Sequence, residues 1–171
     1  SIVCGINMTL SAYTAAMFKR AGMLAEDGRC KTLDKSADGY VRAESCGTIL
    51  LRPCNSVGGA SGDSFICSTS VNQDGRSSSL TAPNGPSQQQ VMRTSLHWAS
   101  LEGGALNSLQ MHGTGTSLGD PIEMGAACAV LCSHGPPIVS DGDIGQRPLT
   151  FAAIKSSCGH SEPAAGITSI I

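Results

Sequence analysis

Charge is scarce in this chain of 171 residues: Asp, Glu, Lys and Arg make up 14%, against roughly 25% in an average domain. Such a deficit points to a segment that is largely buried or lies against a partner surface. Basic residues are not in excess either, with 11 Lys and Arg against 13 Asp and Glu and a net charge of −2. Aromatics amount to 4%, and no basic stripe interleaves with them, which argues against nucleic-acid binding. The chain has no long uninterrupted apolar run and no charged leader before an apolar stretch. Neither a membrane span nor a signal peptide is therefore expected. The eight cysteines contain no Cys-x-x-Cys pair. Cys128 and Cys132, at i, i+4 spacing, share one helix face and read as small thiols in a core rather than half a zinc site. The others are scattered, so reduced thiols in a cytoplasmic protein are expected, with no disulfide framework and no metal.

What is present alternates between strand-like and helix-like segments, without repeats or low-complexity tracts. Ile2 to Asn7 reads as a strand end, Ala12 to Ala21 as a short helix and Gly47 to Leu51 as a strand. Asn55 to Gly62 is a Gly/Ser loop and Phe65 to Val71 a further strand. Ser87 is expected to cap a helix running to about Ser100, and Leu106 to Met111 to form a strand that delivers His112. A helix from about Pro121 to Cys132 follows, then a Gly/Pro-rich loop from Ser133 to Arg147, a strand from Leu149 to Ile154, and a helix starting near Glu162. The pattern is that of an α/β protein. Length alone is compatible with one domain. The opening inside an apolar segment and the uncapped last residues suggest a partial one.

Two histidines stand at the mouths of glycine-rich turns after short apolar runs, in Leu109-Gln110-Met111-His112-Gly113-Thr114-Gly115-Thr116 and Ile154-Lys155-Ser156-Ser157-Cys158-Gly159-His160-Ser161-Glu162. An imidazole at a strand end, beside glycines that let a substrate approach the backbone, is well placed to donate to a developing oxyanion. Lys155, His160 and Glu162 bring a cation, an imidazole and a carboxylate into one short stretch, and such clusters tune proton affinity. Two sites of this kind suggest one shared active site. The Gly-Thr-Gly-Thr run is not a nucleotide P-loop, because Ser117-Leu118 stands where Lys-Ser/Thr is required.

Four segments carry a resemblance to the beta-ketoacyl synthase (ketosynthase) domain of modular, type I polyketide synthases. They are Gly28 to Asp34 with Ala37-Asp38-Gly39-Tyr40-Val41-Arg42, Val71-Asn72-Gln73-Asp74-Gly75-Arg76 with Leu80 to Pro86, His112 to Glu123, and Lys155 to Gly166. Their order and spacing match that family over nearly the whole chain. The resemblance implies a thiolase-like layered fold (α/β/α/β/α) present as a partial domain over residues 1–171. It also implies decarboxylative Claisen condensation of an acyl thioester with a malonyl-type thioester on acyl carrier protein. His112, His160 and Lys155 would be catalytic, and Glu162 would hold Lys155 by a charge-assisted hydrogen bond. Thr114 and Thr116 would bind the phosphopantetheine arm of the carrier protein, with no cofactor bound directly. The family's nucleophilic Cys lies upstream of the segment matching Val3 to Asn7, so it is expected to be absent from this chain. Other synthase domains and a second copy of the chain would be partners.

Three departures stand out: Ser157-Cys158 where Asn-Ile is common, Pro163 in a usual alanine run, and Gln110 where Glu is usual. None removes a proposed catalytic group. They leave open a non-elongating, carrier-binding module that gates chains, and a fatty-acid synthase domain is a closer alternative.

Overall fold

The computed structural model describes residues 1–53, 64–77, 82–132 and 148–171. Two small sheets form the frame. In the first, β1 (Ile2–Asn7) runs antiparallel to β2 (Ser45–Leu50), with Gly5 opposite Gly47. In the second, β3 (Ser108–Gln110) runs parallel to β4 (Thr150–Ala152). Five helices complete the described chain: α1 (Ala12–Arg20), α2 (Gly85–Ala99), α3 (Gly119–Leu131), α4 (Lys155–Cys158) and α5 (Ala165–Ile170). A parallel pair needs a crossover rather than a hairpin, and α3 lies between β3 and β4 in the chain.

The core is built from small residues, which lets backbones approach closely. Ala126, Ala127, Val130 and Leu131 form the buried face of α3. Gly103 packs so tightly there that a Cβ would lie 2.9 Å from Leu131 Cα. The Gly5–Gly47 pair does the same for the first sheet. A Cβ on Gly5 would sit 3.0 Å from Ala164 Cα, and one on Gly47 would collide with the Ile167 side chain. The paired glycines thus open the seat into which the Ala164–Ile167 turn settles, directly after His160.

Two sequence expectations fail here. Phe65 to Val71 forms no strand, and Phe65, Ile66 and Val71 are exposed. Its apolar residues suit a strand, but the segment is held to α2 by side chains instead. Ser68 Oγ donates to Ser95 O at 2.8 Å, and Asn72 Nδ2 donates to Ser87 O at 2.7 Å. The cap of α2 is Asn84, not Ser87: the Asn84 side chain accepts from Ser87 N–H at 3.2 Å, and a proline opens the helix. Strands β3 and β4 are shorter than expected, and α4 was not foreseen. The expected loops at Asn55 to Gly62 and Ser133 to Arg147 lie outside the described residues.

Candidate active site

His112 leaves β3 through Met111, whose N–H donates to Ala152 O at 2.8 Å and extends the ladder one step past the strand. Its own N–H and that of Gly113 are both taken by the carboxylate of Glu123 on α3. The turn that follows needs glycine: Gly113 and Gly115 have φ of 44° and 78°. At Gly115 a Cβ would lie 2.6 Å from Lys31 N. Asp120, 3% exposed, staples the loop from the first turn of α3. It accepts from Gly115 N–H at 3.2 Å, Thr116 N–H at 3.4 Å and Leu33 N–H at 2.9 Å. A carboxylate in that first turn is also favoured by the helix dipole.

His160 arrives from β4 through α4 and Gly159, whose φ is 78°. Its backbone forms a bridge to the 41–43 segment: His160 N–H donates to Val41 O at 2.8 Å, and Ala43 N–H donates to His160 O at 2.9 Å. The Glu162 N–H donates to Nδ1 of the ring at 3.1 Å. Since Nδ1 accepts, the ring proton of the neutral imidazole sits on Nε2, which is left to donate.

The two imidazoles meet edge to face, with centroids 5.1 Å apart and planes at 89°. Tyr40, buried, packs edge-on against His160 at 5.2 Å. Both histidines line one cleft of about 580 Å³, together with Tyr40, Thr114, Thr116 and Glu123. Thr116 Oγ accepts from Gly119 N–H at 3.1 Å and lies 3.5 Å from Thr114 Oγ, so the threonines also brace the turn that presents them.

Lys155, 3% exposed, begins α4. Burial lowers its pKa, and the carboxylate of Glu123 works in the opposite sense. The expected Lys155–Glu162 ion pair is absent among the described residues. Both oxygens of Glu162 go to Arg42, at 2.7 Å from Nε and 2.9 Å from Nη2. An arginine fork matches a carboxylate bidentately, which a lysine point charge cannot do. Glu162 therefore serves His160 through its backbone rather than Lys155 through its side chain. Arg42, Asp120, Glu123 and Tyr40 were not assigned roles from the sequence. For Asp120 and Glu123 a signal existed, since they are acidic residues at the start of a helix that follows a glycine loop.

Both imidazoles are pushed toward the neutral form. Burial, then His112, then Lys155 take the His160 pKa from 6.5 down to about 4. The wall around His112 desolvates its ring, although the residue keeps an exposed edge in the open cleft, and Lys155 adds to the lowering. The unfolded chain takes up a proton at His160 near pH 6.5, the folded one only near pH 4. Between these values the unfolded state binds more protons, so this contribution to stability is full above about 6.5 and is lost as the pH falls toward 4. Denaturant unfolding of the full-length protein should show that loss, and His160→Gln should flatten it. Identical pH slopes in the two proteins would show that His160 titrates normally.

None of the seven described cysteines lines this cleft. Cys30 is buried, its sulfur accepts from Val41 N–H at 3.3 Å, and burial raises its pKa, all of which suits a packed thiol rather than a nucleophile.

Two imidazoles at glycine turns thus face one cleft on an α/β frame of the thiolase-like class. The chain belongs to the beta-ketoacyl synthase family: residues 1–56 match the beta-ketoacyl synthase N-terminal domain and residues 64–171 the C-terminal domain. It is 41% identical over 98% of its length to polyketide synthase GfsA of Streptomyces halstedii, spanning 2% of that protein. An oxazolomycin ketosynthase domain from Streptomyces albus superposes with a TM-score of 0.85 at 32% identity, over 99% of this chain and 28% of that one. The ketosynthase from module 6 of the bacillaene synthase of Bacillus subtilis 168 gives 0.84 at 30% identity, over 99% of this chain and 29% of that one.

Proposed function

We propose that this chain supplies the decarboxylation half of a ketosynthase active site in polyketide assembly. The observation that carries the reading is the perpendicular pair of imidazoles facing one cleft. Loss of carbon dioxide from a malonyl-type thioester leaves an enolate, and its oxygen needs donors set in place beforehand. His112 and His160, each through a ring N–H, are those donors. The enolate carbon then attacks the carbonyl of an acyl group held as a thioester on a cysteine from outside the described residues. A carbon–carbon bond forms, and the cysteine leaves as thiolate. Burial first, and the charge of Lys155 after it, push both imidazoles toward the neutral form. Thr114 and Thr116 face the cleft where the amide-bearing phosphopantetheine arm of an acyl carrier protein would lie. Acyl carrier protein, neighbouring synthase domains and a second copy of the chain are the expected partners, in the cytoplasm. No helix among the described residues is long and apolar enough to cross a membrane.

The test is carbon dioxide release from malonyl carrier protein by the full-length protein. Release together with a lengthened β-ketoacyl product supports condensation. Release without product, or carrier binding without release, favours a gating module.

A further inference from the structure

One residue beside His160 adopts a backbone conformation that side chains disfavour. Glu162 has φ of 45°, in the left-handed region that non-glycine residues rarely adopt. Its N–H donates to His160 Nδ1 at 3.1 Å, so the 160–162 turn closes on the ring. The Arg42 side chain holds it there. Arg42 forks onto both Glu162 oxygens at 2.7 and 2.9 Å, with side chains only 11% and 21% exposed. The guanidinium is itself fixed on its other side by the Phe18 ring of α1, with Cζ 5.1 Å from the ring centroid. The Arg42 main chain is bound to the same histidine, since Val41 O and Ala43 N take the His160 N–H and C=O. Arg42 thus reaches His160 by two routes, once through the backbone bridge and once through Glu162.

We propose that Arg42 is a positioning residue that, through Glu162, locks His160 in the tautomer with its proton on Nε2. A lost fork releases Glu162 and lets the 160–162 turn relax. The Glu162 N–H then departs from Nδ1, and the preference for one ring nitrogen is lost. The proposal rests on the reading of His160 as an enolate donor, but its first readout does not.

The test uses the full-length protein labelled with 15N-histidine, with His160 identified by the signals lost in His160→Gln. The wild type should carry the proton on Nε2. In Arg42→Ala the two nitrogen shifts should move toward an average of the tautomers. The kcat for malonyl decarboxylation should fall roughly tenfold with KM unchanged, as expected for a misaligned group. Arg42→Lys, which keeps the charge but not the fork, should recover part of both. Should Arg42→Ala fail to fold by circular dichroism, Glu162→Gln weakens the fork with little change of shape and carries the same two readouts. A folded variant with wild-type nitrogen shifts overturns the proposal. Shifted nitrogens with unchanged carbon dioxide release would uphold the positioning role and overturn the donor role of His160 instead.

Discussion

Replacing His112 or His160 by alanine in the full-length protein is expected to lower malonyl decarboxylation by roughly a hundredfold or more, the usual loss when one oxyanion donor is removed. The fold should survive both changes. His112 is anchored by main-chain groups, its N–H and that of Gly113 on Glu123, which alanine keeps. The His160 backbone bridge to Val41 and Ala43 likewise does not involve the ring. On the proposed reading the rings, 5.1 Å apart over one cleft, act on one oxygen as a unit. The double variant should therefore lose little more than either single variant. Carbon dioxide release from malonyl carrier protein measures all three. Wild-type release in either single variant would separate the histidines from the chemistry, and a fully additive double variant would show that they act on different steps.

The parts of this site that could be read from the sequence are those encoded locally. A short apolar run ending in His-Gly-Thr-Gly marks a strand that delivers an imidazole to a turn, and β3 with His112 follows that pattern. The i, i+4 spacing of Cys128 and Cys132 belongs to a helix, and Cys128 lies in α3 with Cys132 as its C-cap, but Cys128 is half-buried and Cys132 exposed, so they are not the core thiols the spacing suggests. The partner of Glu162 could not be read in this way. Lys155 was the nearer cation in sequence, yet Arg42, 120 residues away, holds the carboxylate, because the 41–43 segment bridges to His160. A short turn of helix at α4 also takes Lys155 into the interior instead of along the strand. Sequence distance weighs little once a parallel bridge has set two backbones side by side. The strand expected at Phe65 to Val71 fails for a related reason: strand formation depends on a neighbour to pair with, and local pattern does not report one. The resemblance implies roles for the two histidines, and the geometry adds the tautomer of His160 and the surroundings of both rings.

The other large effect expected is on stability, at a glycine outside the two histidine motifs. Gly39 has φ of 144°, a region that side chains rarely enter. A Cβ there would lie 2.6 Å from Met23 O, 2.7 Å from Ala25 N and 2.8 Å from Leu24 C. All three are main-chain atoms and cannot swing aside. They are also pinned in place: Tyr40 N–H donates to Met23 O at 3.1 Å, and Ala25 N–H donates to Tyr40 O at 3.0 Å. Strain and overpacking each cost about 1–3 kcal/mol, so Gly39→Ala should lose about 4 kcal/mol, a large part of the 5–15 kcal/mol of a typical domain. The damage should reach the active site as well. Gly39 N–H donates to Gly115 O at 3.0 Å in the threonine turn, and Tyr40 packs on His160. Gly28 is the control, since it too has positive φ, of 69°, but a Cβ there would meet nothing within 4 Å. Gly28→Ala carries only the conformational cost, about 1 kcal/mol. Denaturant unfolding of the two variants in the full-length protein separates clash from strain. Equal losses would mean that the close approach at Gly39 is not what holds the 23–25 segment against the site.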